Sequence, residues 1–189
     1  MAYQWSKKGP LMTLNGTGDG DTLRFDAGDE TAIVRLVGQS IAEVEFFHLG
    51  GHTRITHDEA KHIVVGEKNW KRDVYHFLIP NGPAPTMRLG YTVHRGEGTW
   101  SSLPHGFEEH PEPGFEEIFF YRLQGGTQQA IQVGRGMWCD GTEVDAVWPV
   151  FHNTFGVIPM GYHPIAGEPG VKVMYVWVYL AKTPRWEKI

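Results

Sequence analysis

The amino-acid sequence predicts an all-β protein folded as a sandwich or barrel. The apolar runs are short and rich in β-branched and aromatic residues, as a pleated, half-buried surface favours. Glycine and proline, 24 and 12 of 189 residues, punctuate the chain as "NGTGDGD", "NGPAP", "PEPG", "CDG" and "HPIAGEPG", so the strands between them must be short and numerous. Helical periodicity is weak, and its best candidate is the stretch "ITHDEAKHI" at 55–63.

In chain order, "TAIVRLVG", "IAEVEFFHL", "HIVVGE" and "VYHFLI" read as strands of the first half, apolar residues partly alternating with polar ones. After residue 114 the runs "EEIFFYRL", "QQAIQVG", "FGVIPMG" and "VKVMYVWVYLA" are more continuously apolar, as expected of strands buried in a barrel core. The Pro/Gly-rich stretch at 80–85 divides an N-terminal β region, 1–80, from a C-terminal barrel, 81–189. The sequence contains no internal repeat, heptad pattern or low-complexity tract.

Composition narrows the function. A hydrophobic fraction of 41% with 13% aromatic and 21% charged residues is the balance of a packed globular protein. A net charge of −5, with no basic cluster beyond "KK" and "WKR", argues against nucleic acid as a partner. No apolar segment approaches the roughly 20 residues needed to span a bilayer, and the N-terminus lacks the apolar stretch of a secretory signal, so the expected compartment is the cytoplasm. The single cysteine, Cys139 in "GMWCDGT", has no intramolecular partner and reads as a structural thiol.

The stretch "WSSLPHGFEEH", 100–110, concentrates histidine and glutamate ahead of an apolar strand. A catalytic metal site needs several imidazoles or carboxylates converging, with a position left for water or substrate, and a barrel can draw them from distant segments. His105 and His110 precede Glu117 at the start of a strand, and His163 follows a turn in "VIPMGYHP". That order is the one cupin barrels use. The plain alternative is a solvated acidic loop. His48, His52, His57, His62, His76 and His94 are scattered without metal spacing and read as surface or packing residues, and His152 as a turn residue. "GTGDGD" and "GRG" lack the Lys-Ser/Thr of a phosphate loop and read as turns.

Five motifs in order, Trp100 to Pro104, Glu116 to Tyr121, Pro159 to Pro164, Pro169 to Tyr175 and Pro184 to Trp186, resemble the W-S-S-x-P, E-E-I-Y-Y, P-x-G-Y-H-P, P-G-Y-D-L-Y-Y and Arg/Trp elements of the KduI/IolB family of cupins, in particular its branch acting on 5-deoxy-glucuronate in inositol catabolism. The resemblance covers residues 70–187. It implies a double-stranded β-helix (jelly-roll) barrel, preceded by an N-terminal β extension or reduced second cupin-like half. It also implies a metal-dependent aldose–ketose isomerase acting on a sugar acid, with Glu117, His163 and His105 as metal ligands. Where the family has H-x-H, "HGFEEH" places Phe107, so the fourth ligand is His110 or Glu108, with His110 preferred on spacing. Arg72, Gln129 and Tyr162 are candidate substrate contacts, and no general base can be named. Zn, Mn, Fe and Ni all suit a His/Glu donor set. A homodimer or higher homo-oligomer is expected, because exposed strand edges invite pairing. The alternative is a cupin that binds a sugar or other small ligand without turning it over.

Overall fold

The computed structural model describes residues 5–8, 13–101, 117–138 and 141–181. The first six strands are β1 (Trp5–Lys8), β2 (Thr13–Gly18), β3 (Thr22–Ala27), β4 (Glu30–Val37), β5 (Ser40–His48) and β6 (Gly51–Thr56). They form one sheet in simple sequence order, each antiparallel to the next. Alternation explains it: β3 and β4 bury every second residue, placing Leu23, Phe25, Ala32, Val34 and Leu36 on one face. The β5–β6 hairpin turns on Leu49 and Gly50, both left-handed at φ 47° and 78°, the pattern that matches the twist of a two-residue connection.

The weak helical signal at 55–63 yields little helix. Only one 3-10 turn forms, His57–Glu59. The Glu59 carboxylate accepts from the Thr56 backbone N–H and hydroxyl at 2.8 and 2.7 Å, closing that turn, and Ala60 is already extended at φ −68° and ψ 139°.

The rest of the chain supplies β7 (Lys61–Val65), β8 (Arg72–Leu78), β9 (Met87–His94), β10 (Glu117–Gln124), β11 (Gln129–Met137), β12 (Glu143–Phe151), β13 (Thr154–Ile158), β14 (Met160–Tyr162), β15 (Ile165–Gly167) and β16 (Lys172–Leu180). A central sheet has the order β13-β10-β16-β9-β8-β7, and a smaller sheet the order β12-β11-β14, with β15 also paired to β11. The passage from the first sheet to the central one falls at 57–60, and residues 80–85 connect β8 to β9, neighbours in one sheet.

The central sheet is covered on both faces. One face of β9, β10 and β16 packs Leu89, Tyr91, Ile118, Phe120, Val176 and Val178 against the first sheet. The other packs Phe119, Tyr121, Leu123, Val173, Tyr175 and Trp177 against the smaller sheet, closing the barrel. Two-sided burial is why β10 and β16 read as unbroken apolar runs rather than as alternating strands. Each buried large side chain contributes about 1.5–3 kcal/mol.

Polar ties fix the first sheet in place. Buried Glu30 accepts from the Thr86 and Met87 backbone N–H groups at 3.0 and 2.9 Å and from the Thr86 hydroxyl. Arg122 donates to the Gly20 carbonyl and to Asp21. Among the described residues no helix is long and apolar enough to cross a membrane.

Candidate functional site

The barrel interior is lined by the inward residues of the central sheet. Glu117 opens β10, paired with Tyr179 on one side and Ile158 on the other. His163 lies in the connection between β14 and β15. The two converge: Nε2 of His163 is 3.6 Å from Oε2 of Glu117, with the residues 3% and 5% exposed. The Phe119 ring stands edge-on to the imidazole at 6.0 Å, which leaves these polar groups against an apolar wall.

The backbone that carries His163 is held by Gln132. This wholly buried side chain donates from Nε2 to the His163 carbonyl at 2.7 Å and lies within reach of the Pro164 and Val133 carbonyls, both at 3.1 Å. Its Oε1 accepts from the Tyr121 hydroxyl at 3.0 Å. Each end of the amide is thereby used, so the side chain has one orientation, and it sets the position of the 163–164 segment.

Of the sequence-based candidates, Glu117 and His163 are brought together, while His105, His110 and Glu108 lie outside the described residues. Tyr162 is half-buried on β14, where it pairs with Arg135 of β11. Gln129 is exposed at the start of β11. Arg72 is buried at the start of β8, opposite His94 of β9, donating to the Trp70 carbonyl at 3.1 Å with its guanidinium 6.0 Å from the centre of the Trp70 ring. Two interior residues were not singled out from sequence, Gln132 and Tyr175. The parity of β11 could have marked Gln132, since Ala130 and Gln132 face in while Gln129 and Ile131 face out. His94, expected among the surface or packing histidines, is buried at 1% exposure.

Burial dominates the electrostatics. It raises the pKa values of Tyr121, Tyr175 and Tyr179, keeping these phenols protonated. It also lowers that of the Arg72 guanidinium, partly opposed by Tyr175. Burial, and then the Arg72 charge, hold the His94 imidazole down at about 3, so this ring is neutral at physiological pH. The Tyr175 hydroxyl donates to Ser101 Oγ at 3.2 Å.

A divalent cation suits the converging pair, because a carboxylate and an imidazole inside a buried shell are the donors that borderline metals take. Among the described residues no group of three His, Cys, Asp or Glu side chains forms such a site. Glu117 and His163 are a pair of donor side chains and not by themselves a complete shell.

The topology, two sheets closed into a jelly roll with inward polar residues at one end, is that of a cupin barrel preceded by an N-terminal β sheet. The structure of an IolB-like protein from Salmonella typhimurium LT2 superimposes with a TM-score of 0.61 at 14% identity, covering 93% of this chain and 85% of that one. The KduI/IolB family model matches residues 51–189, and the chain belongs to that family. The 5-deoxy-glucuronate isomerase of Bacillus subtilis (strain 168) is 28% identical over 126 residues, 65% of this chain. That of Bacillus licheniformis is 29% identical over the same length. Each match spans 45% of the relative's own length.

Proposed function

We propose that the protein is a metal-dependent isomerase of sugar acids, interconverting an aldose and a ketose, a reading supported by its likeness to proteins named 5-deoxy-glucuronate isomerase. The observation that carries this reading is the convergence of Glu117 and His163 at 3.6 Å inside the barrel of a KduI/IolB family member. In this reading His105 and His110 complete the donor set, and the protein acts in the cytoplasm, in carbohydrate or inositol catabolism, as a homo-oligomer.

Such an isomerisation moves a proton between adjacent carbons while negative charge develops on the neighbouring oxygen. A bound divalent ion supplies electrostatic stabilisation of that charge. The chain's own residues do the rest. Gln132 fixes the segment that presents His163. Phe119 and Trp177 form an apolar wall that limits water and strengthens the electrostatics of the site.

Metal analysis of protein purified without a histidine tag, on wild type and His163→Ala, tests this. Near-stoichiometric divalent metal in the wild type and a sharp loss in the variant are expected, together with turnover of 5-deoxy-glucuronate by the wild type alone. A wild type that takes up no metal after incubation with Zn, Mn, Fe or Ni overturns the isomerase and leaves a sugar-binding cupin in its place.

A further inference from the structure

Among the described residues the central sheet turns three tyrosines toward the barrel interior, and they are not equivalent. Tyr121, wholly buried, donates to Oε1 of Gln132 at 3.0 Å. Tyr175, 4% exposed, donates to Ser101 Oγ at 3.2 Å, and its ring is stacked on Phe119 at 4.5 Å. Both hydroxyls are committed within the protein. Tyr179, near the end of β16, is only half-buried, and of the three it alone keeps appreciable accessible surface.

Register places Tyr179 beside the converging pair. It is directly opposite Glu117 of β10 on one side and Arg88 of β9 on the other. Directly opposed residues of antiparallel strands share a face, with Cβ atoms about 4.5–5.5 Å apart. A carboxylate, a phenol and a guanidinium thus form one row across three strands, and both charges act on the phenol. The outer members are anchored. Glu117 lies against His163 at 3.6 Å, and Arg88, 1% exposed, donates to the Ala84 and Met87 carbonyls, both at 2.9 Å. The indole of Trp177 lies along the Tyr179 ring, 5.9 Å away and inclined by 20°. That indole is seated over Gly90, where any Cβ would collide with it.

We propose, resting on the isomerase reading above, that Tyr179 is a catalytic residue whose hydroxyl donates a hydrogen bond to the substrate oxygen on which negative charge develops. A substrate oxygen brought to Glu117 and His163 comes beside this row. A phenol is neutral at physiological pH and offers one O–H. It therefore meets an oxyanion without a proton changing hands: the phenol keeps its own, and the proton that moves between the adjacent carbons is carried by another group. A donor set in advance where charge appears stabilises the transition state more than the ground state. Arg88, on the side away from Glu117, favours the build-up of charge on the phenol oxygen that accompanies donation.

The test pairs turnover with calorimetric titration of the metal-loaded protein by glycolohydroxamate, a small chelator whose ionised oxygen imitates an enediolate. Tyr179→Phe removes one oxygen from a half-buried ring and keeps the ring itself. It is expected to lower kcat for 5-deoxy-glucuronate about 100-fold or more with KM little changed, the mark of an interaction made in the transition state. Glycolohydroxamate should bind about tenfold more weakly, the factor of one hydrogen bond to a charged group, at unchanged metal content and circular dichroism. Tyr175→Phe also loses one interior hydroxyl and is expected to bind glycolohydroxamate as the wild type does. Wild-type kcat or wild-type hydroxamate affinity in folded Tyr179→Phe, or an equal loss in Tyr175→Phe, overturns the assignment. A wild type that turns over no sugar acid, while its hydroxamate affinity still depends on Tyr179, supports the donor and sinks the isomerase. A wild type that holds no metal overturns both.

Discussion

The two faces of the central sheet are made by the same strands and have little else in common. Toward the first sheet, β10 and β16 present Ile118, Phe120, Met174, Val176 and Val178, without a polar atom among those side chains. Toward the barrel the intervening residues are Glu117, Phe119, Tyr121, Tyr175, Trp177 and Tyr179, most of them carrying a polar group. A strand alternates sides with every residue, so one segment can serve a dry core and a polar interior together. Apolar side chains are concentrated on one face and polar groups on the other.

The largest test of that division is Phe120→Ala. Phe120 is 1% exposed and packs against Phe155 with ring centres 4.8 Å apart, so truncation is expected to cost about 3–5 kcal/mol in denaturant unfolding. Metal content per folded molecule should not change. Loss of metal from folded Phe120→Ala would break the comparison by showing that the faces are coupled.

Gln132→Leu probes the other face. It removes an amide that satisfies the His163 carbonyl and the Tyr121 hydroxyl, and leaving those groups unpaired is expected to cost about 1–3 kcal/mol. Unlike Phe120→Ala, it should also weaken divalent metal retention with every proposed ligand intact. Full retention, measured by equilibrium dialysis, would reduce Gln132 to a packing residue.

The smallest effect is a slope. His94 titrates at about 3 in the folded protein against roughly 6.5 unfolded, so between these values the unfolded chain binds the extra proton. Its contribution to stability is complete above pH 6.5 and is lost as pH falls, by at most about 1.4 kcal/mol per pH unit. His94→Gln should therefore show a flatter stability profile than wild type between pH 6 and 4 by urea unfolding. Parallel profiles would mean that the ring is not held neutral by burial.

These contrasts were unevenly legible in the sequence. Glu117 and His163 stood out because each sits in a local motif beside a strand or a turn, and local signals survive without knowledge of pairing. Gln132 did not, because "TQQAIQ" offers three glutamines and only strand parity says which one faces in. The Arg72–His94 pair was hidden for a different reason. The two are neighbours through the register of β8 on β9, which depends on a bulge near His76 and Leu78 that no residue pattern announces. The unbroken apolar runs of β10 and β16 marked burial correctly but not its second cause, the N-terminal sheet lying across their outer face. At 55–63, helix-forming residues were overruled by the start of β7 at Lys61.

That N-terminal sheet has a further consequence, for the order in which the molecule assembles. Each of its strands pairs with the next along the chain, so its loops close cheaply and early. The barrel is expected to close later, since β9 meets β16 through pairs such as Val93 with Met174, far apart in sequence. During that interval the meander carries an apolar face with nothing yet to cover it, and the central sheet completes on a surface already in place. The layer outside the barrel is thus positioned to act as the template on which the barrel is built.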